Sequence, residues 1–563
     1  MKARLLYRDR DLNAPIESPT GLPTQRSGLD HNHSGRESPT ASNLARDLSF
    51  EVLFDAMGAG DAYLREVAAR VVPEGLAAPE AIRYRQAILS DCLAFPDVVR
   101  QIYAVATSAI DNERQVWGWT FRQPEALLHR SVQVLGIFRD HLGQLRGMAD
   151  VHRSAFRSEG FTTLFAMLAR ELDDAYLGVL AEHLRQLRFR DGMLISARLG
   201  EVNQSTDLHV RRPLGSSSGL RKRMADWVHQ FLGDKPTSYA YQLADRDEAG
   251  FQALQALRDR ALASVASALE ASMVHILDFF KMLRTELAFY LGCLNLHERL
   301  ADKGSPLCFP EPAEGDFFLQ ACGLYDASLS LSMAERVIGN DVGADQARLV
   351  MITGANRGGK TTFLRSVGLA QVLMQCGMFV PAEEYRAGVC EGVFTHFKRE
   401  EDPALCQGKL DEELSRMSML VDQLKSGSLL LLNESFASTN EREGSEISRQ
   451  IVRALTEKGV KIIYVTHLFD LADSLRRSPP CPTLFLRAER LPDGRRTFKL
   501  LEGAPLSTSY GSDVYAQVFG RSALRVSPAQ PGPVAGNSSS AQRQSKDHEE
   551  QRADQSQVEI QVP

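Results

Sequence analysis

No Cys-x-x-Cys pair occurs in this chain. Its eight cysteines (Cys92, Cys293, Cys308, Cys322, Cys376, Cys390, Cys406 and Cys481) are scattered, which excludes a zinc ribbon or a disulfide-stapled fold and points to a reducing cytoplasm. No unbroken apolar run approaches the roughly 18 residues that a membrane span needs. The opening Met-Lys-Ala-Arg-Leu-Leu-Tyr-Arg is interrupted by charge, so neither export nor insertion is expected. An excess of one charge is also missing. Lys and Arg number 65 against 71 Asp and Glu, a formal net charge of −6, so any nucleic-acid surface must be local.

What is present is the composition of a folded chain. Hydrophobic residues make up 44% and charged residues 24%, values outside the disordered, collagen-like and membrane-bundle ranges. At 563 residues the chain exceeds one ordinary core, so several domains are expected. Residues 1–45, rich in Ser, Pro, Asn, Gly and Arg, read as a disordered leader. Two histidines there, His31 and His33, receive no role, because histidines in flexible polar segments are usually solvated.

Residues 46–305 carry repeated helical periods and read as an all-α core or lever region. Its last stretch, Glu248 to Asp302, holds only Gly250 and Gly292 as weak breakers. It reads either as one arm of about 80 Å or as two helices joined near a kink. Within this region, residues 183–225 hold nine Arg or Lys against three acids, a local excess that could meet phosphate. Strand-like MLISARL and LHVRR and turn-like GSSSG make this segment a candidate hairpin insertion. Arg198, Arg211, Arg212, Arg221, Lys222 and Arg223 are its candidates for DNA contact. Residues 306–524 alternate short apolar runs with helical stretches, the texture of an α/β domain with a mainly parallel sheet. Residues 525–563 read as a disordered tail.

The chemistry is concentrated in three segments. The strand LVMIT runs into Gly354-Ala355-Asn356-Arg357-Gly358-Gly359-Lys360-Thr361-Thr362 and then a helix. This is G-x-x-x-x-G-K-[ST] in strand, loop, helix context: glycines let backbone N–H groups surround a triphosphate, Lys360 reaches its outer phosphates, and Thr361 ligates Mg²⁺. A second strand ends in Asn433-Glu434, where a P-loop ATPase places one group on the Mg²⁺ water shell and a carboxylate on the attacking water. Asn433 stands where Asp is usual, so slower hydrolysis or weaker Mg²⁺ dependence is expected. A third strand, IIYVT, ends at His467, placed to sense a γ-phosphate.

TGANRGGKTTFLRSVGLAQVLMQCGMFVPA, SLLLLNESFASTNEREG, YVTHLFDL and LLEGAPLSTSYG together resemble the ABC-type ATPase domain of the MutS family of DNA mismatch repair proteins. The resemblance is strong over residues 320–520 and weaker over the helices of 48–305. It implies ATP and Mg²⁺ as cofactors. Gly354, Asn356, Gly358, Gly359, Lys360, Thr361, Thr362 and Asn433 would bind the nucleotide, with Thr361 on the metal and Lys360, Glu434 and His467 acting in catalysis. It further implies a homodimer joined through the ATPase domains, repair-protein partners, and DNA that is mismatched, duplex or branched. QGKLDEELSRM is similar to the signature helix that reaches the opposite subunit's nucleotide. There Gly408 replaces the usual serine and Glu413 keeps the acidic position. Residues 1–45 are too few for the family's mismatch-reading domain, and no Phe wedge stands in them. Two other readings use the same residues: a nucleotide-gated scaffold with weak ATPase acting on proteins, supported by Asn433 and Gly408, and a transporter ATPase subunit. The helical first half and the lack of an LSGGQ-type run count against the latter.

Overall fold

Among the described residues up to Gln186 the helical periods fold as eight α-helices: α1 (Pro39–Asp47), α2 (Phe50–Gly58), α3 (Ala62–Val71), α4 (Pro79–Ala94), α5 (Pro96–Gln115), α6 (Pro124–His152), α7 (Glu159–Glu171) and α8 (Asp174–Gln186). Their starts follow local chemistry. Proline opens α4, α5 and α6, where its missing N–H has no partner to lose. Asp61, Ser158 and Asp173 cap the free N–H groups of α3, α7 and α8. The computed structural model describes residues 1–8, 39–116, 123–188, 194–199, 205–211, 248–313, 315, 318–399 and 408–506, all within the unit Met1–Gly511. The expected tail, 525–563, and His31 and His33 lie outside the described residues.

Helix α9 (Glu248–Ala301) is one unbroken helix of 54 residues, about 80 Å long at 1.5 Å per residue. Of the two readings of this stretch, the continuous arm is the one found. Gly292 does not break it because the glycine is where α2 crosses: a Cβ there would stand 3.2 Å from the Met57 methyl, and Asn295 Nδ2 donates to Met57 O at 2.9 Å. Packing outweighs the ~1 kcal/mol that glycine costs a helix. The C-terminal part of α9 buries Phe279, Phe280, Leu283, Leu287, Phe289, Tyr290 and Leu294. The segment Gln255–Ala301 also contains a stretch long and apolar enough to cross a membrane by composition, contrary to the expectation from unbroken runs. Alanine, leucine and valine hold its mean hydropathy up, while serines, Glu270 and His275 keep these residues from forming an unbroken run. Strands β1 (Leu194–Leu199) and β2 (Ser205–Arg211) form an antiparallel pair, with β2 beside α9.

The leader expected over residues 1–45 needs correction at both ends. Pro39 begins α1, and Ala3, Leu5 and Leu6 are buried. Leu5 N donates to Glu286 Oε2 at 2.5 Å, Tyr290 Oη donates to Leu5 O at 2.6 Å and Tyr84 Oη to Arg4 O at 2.6 Å. Arg85, wholly buried, donates to Leu6 O at 3.1 Å and to Cys376 O at 2.9 Å. Short apolar pieces inside polar sequence show no period, so these contacts had no local signature.

The described residues of the second half form two sheets. β3 (Glu311–Ala313), β7 (Glu384–Gly388), β4 (Leu319–Leu324) and β5 (Asn340–Gly343) make one, in that spatial order. The other runs β12 (Arg496–Glu502), β11 (Thr483–Arg490), β6 (Leu349–Gly354), β10 (Lys461–Val465), β9 (Leu429–Asn433), β8 (Val393–Phe397). It is parallel except for β11 with β12. Helix α10 (Ala327–Ser332) follows β4, and α11 (Lys360–Gln375) follows β6 and contacts both sheets. From Phe363 to Gln375 every residue of α11 except Arg365 is buried. Helices α12 (Lys409–Val421), α13 (Glu441–Glu457) and α14 (Phe469–Arg477) are the remaining helices among the described residues of this half.

Side-chain alternation explains why the central strands are apolar throughout. Leu429, Leu431, Ile463, Val465, Val350 and Ile352 join the core that continues into the helical region. Their neighbours Leu430, Leu432, Ile462, Tyr464, Leu349 and Met351 join a second core with Met417, Val452 and Leu471 of α12, α13 and α14. Both faces are covered, as parallel sheets require.

Candidate functional site

Because β6, β10 and β9 are parallel neighbours, the segments after them emerge at one edge of the sheet, where open α/β sheets bind ligands. Val465 pairs with both Ile352 and Asn433. Gly354 to Thr362, Asn433-Glu434 and Thr466-His467 therefore converge.

The loop is built for close backbone approach. Gly354 has φ +104° and Gly359 φ +88°, a region that side chains disfavour. A Cβ on Gly358 would stand 2.7 Å from the Ala488 Cβ of β11, and one on Gly354 would stand 2.9 Å from Ala488 N. Gly359 is the N-cap of α11, so the free N–H groups and positive end of this helix face the loop. Lys360 is buried, and Nζ donates to Gly354 O at 3.0 Å and Ala355 O at 2.8 Å. Burial pushes this amine down to about 8, and Glu434 opposes that shift. Asn356 offers its carbonyl to Arg496 Nε at 3.2 Å. Thr362 is half-buried beside Thr361.

Thr361 Oγ1 donates to Asn433 Oδ1 at 3.0 Å, so the hydroxyl and amide oxygen stand together at the loop. Glu434 sits at φ +53°, with its N–H fixed to Val465 O at 2.8 Å. Its carboxylate Oε1 lies 3.0 Å from His467 Nε2. That hydrogen bond holds Glu434 below the ordinary carboxylate range, while partial burial opposes it. The donor set of Thr361, Asn433 and Glu434 is hard oxygen, suited to Mg²⁺ that keeps waters and phosphate ligands. Among the described residues no group of three or more His, Cys, Asp or Glu forms a metal cage. Gly354 and Gly358 let the loop lie directly against Ala488 of β11, and the oxygen donors with the helix N-terminus are the chemistry that a triphosphate with Mg²⁺ requires.

Gly408 is the N-cap of α12, and Glu413 is buried, accepting from Ser438 Oγ at 3.1 Å. Arg198 and Arg211 fall on β1 and β2, with Arg198 opposite Thr206 and Arg211 opposite Leu194. Arg212, Arg221, Lys222 and Arg223 lie outside the described residues.

Three features escaped the sequence reading. Phe498 is 47% exposed at φ +59°, with its backbone against Gly359. Asn340 holds that strand by Nδ2 to Phe498 O at 3.1 Å and by Oδ1 from Leu500 N at 2.7 Å. An aromatic beside the loop can stack on a base. The third is His396, on β8. An aromatic next to a polar strand end was the available signal for Phe498, and His396 had none.

Residues 77–303 match the family model of the MutS2 N-terminal domain, and residues 350–523 match that of MutS domain V. The chain belongs to the MutS family. It is similar to the DNA mismatch repair proteins MutS of Chloroflexus aurantiacus, at 34% identity over 173 residues, covering 30% of this chain and 18% of the relative. It is also similar to those of Thermus aquaticus, at 28% over 231 residues (41% and 28%), and Myxococcus xanthus, at 32% over 209 residues (34% and 23%). These alignments span 18% to 28% of the length of the MutS relatives.

Proposed function

We propose that this chain binds and hydrolyses ATP with Mg²⁺ and couples that cycle to DNA binding in mismatch repair or related DNA maintenance. The observation that carries the reading is the convergence of the glycine loop, Thr361–Asn433 and Glu434–His467 at one sheet edge. The loop N–H groups and Lys360 would hold the phosphates, and Thr361 with Asn433 would hold the metal through its oxygen and water ligands. Mg²⁺ supplies charge neutralisation at the β and γ oxygens. Glu434 would orient the attacking water, and His467, which now holds that carboxylate, would turn to the γ-phosphate. Asn433 leaves this site one negative charge short of an Asp, which weakens its hold on Mg²⁺.

The larger assembly follows the same reading. Two copies would join through their ATPase domains, and α9 with the basic segment of 183–225 would reach DNA, chiefly its phosphates. Branched DNA is a second candidate beside mismatches. Turnover and DNA binding of the wild type, Lys360→Ala and Asn433→Asp, measured against homoduplex, mismatched and branched DNA, test the proposal. Lys360→Ala should abolish ATP binding, and Asn433→Asp should lower the Mg²⁺ concentration for half-maximal turnover. Indifference of wild-type turnover to every DNA would overturn the DNA-coupled reading in favour of a scaffold for protein partners.

A further inference from the structure

Behind Glu434 lies a buried imidazole that the proposed chemistry does not use. His396 is 1% exposed on β8, opposite Leu432. Its Nδ1 stands 2.7 Å from Ser435 Oγ, and its Nε2 3.1 Å from the main-chain oxygen of Glu413 on α12. The ring stacks on Phe436 at 5.5 Å between centroids and 20° between planes. Ser435 and Phe436 are themselves fully buried.

The protons can be assigned from the partners. Glu413 O only accepts, so Nε2 carries a hydrogen. Burial, with Arg416 nearby, lowers the imidazole to about 4, so the ring is neutral and Nδ1 is an acceptor. The single Ser435 hydroxyl proton then faces two acceptors, Nδ1 at 2.7 Å and His396 O at 2.8 Å, so Ser435 meets both the ring and the backbone of His396. The ring thus ties the residue after Glu434 to the second turn of α12.

That turn needs holding. Glu434 and Phe436 adopt φ +53° and +61°, a region that residues with side chains disfavour. Only surrounding contacts keep such a conformation. We propose that His396 is a positioning residue, joining the turn that carries Glu434 to α12 so that the two move together. This rests on the reading of Glu434 as the water-orienting group, yet the mechanical link can be measured without nucleotide.

The test uses the full chain with His396→Phe, His396→Gln, Ser435→Ala and the double variant His396→Phe/Ser435→Ala. In the nucleotide-free protein, His396→Phe should lower amide-exchange protection by about tenfold both at residues 434–436 and in the first two turns of α12. His396→Gln, which offers a donor and an acceptor, should restore most of it. In turnover, His396→Phe and Ser435→Ala should each reduce kcat by roughly 10–100-fold with the ATP Kd unchanged, as for a displaced catalytic group. The double variant should be no worse than the worse single one. Loosening of one segment without the other, or a loss in His396→Gln equal to that in His396→Phe, would overturn the link. Intact coupling in exchange with no ATP turnover in wild type would overturn the reading of Glu434 and leave the link standing.

Discussion

Lys360 carries the most informative single side chain in the site. Its amine is held by two backbone carbonyls and lowered from 10.5 to about 8. Between these values the unfolded chain binds more protons than the folded one, so this group's contribution to stability rises as pH goes from 8 to 10.5. Phosphate binding demands the ammonium form. ATP affinity should therefore fall by up to about tenfold per pH unit above 8, with uptake of close to one proton at pH 9. Calorimetry in buffers of different ionisation enthalpy measures that uptake, which Lys360→Ala should lack. The loop and Asn433-Glu434 were legible because their residues are contiguous. Phe498, Ser435 and His396 were not, since their meaning comes from positive φ values and from strand register that no local spacing encodes.

Among the elements, the apolar runs of β6, β9 and β10 were readable as strands because a doubly covered strand has no polar face. Which residues faced which core was hidden for the same reason. The continuity of α9 was equally hidden, because Gly292 acquires its purpose from Met57, far away in sequence. A sharper case is Arg85 of α4, which satisfies Leu6 O and the carbonyl at the C-terminal end of α11. Arg85→Met leaves two buried carbonyls unpaired at about 1–3 kcal/mol each, offset in part by not burying a charge. We expect a net loss of about 1–4 kcal/mol in denaturant unfolding. Amide exchange should also accelerate at residues 4–7, and unchanged exchange there would show that Glu286, Tyr290 and Tyr84 hold the segment without Arg85.

At the scale of the whole molecule, a net charge of −6 conceals an uneven distribution. If DNA is held through the basic segment, replacing Arg211, Arg212, Arg221, Lys222 and Arg223 with Ala should weaken binding to all sequences alike. The slope of log K against log salt should become less negative by roughly 0.9 for each phosphate that the variant no longer neutralises. Fluorescence anisotropy at several salt concentrations reads this directly, and an unaltered slope would remove the segment from the interface. The architecture also couples the two halves mechanically. Arg365 of α11 pairs with the buried Asp326 that caps α10, and it also donates to Ser49 Oγ, between α1 and α2, at 3.4 Å.

The seating of Leu5 and Leu6 bears on the order in which the chain can assemble. These residues are made before the groups that receive them, Arg85, Glu286 and Tyr290, and the Cys376 carbonyl that Arg85 also holds is made later still. At about 5–20 residues per second the wait lasts on the order of tens of seconds. During that interval Leu5 and Leu6 stay exposed to whatever binds nascent chains. Their docking closes the assembly of the helical half onto the loop helix rather than beginning it.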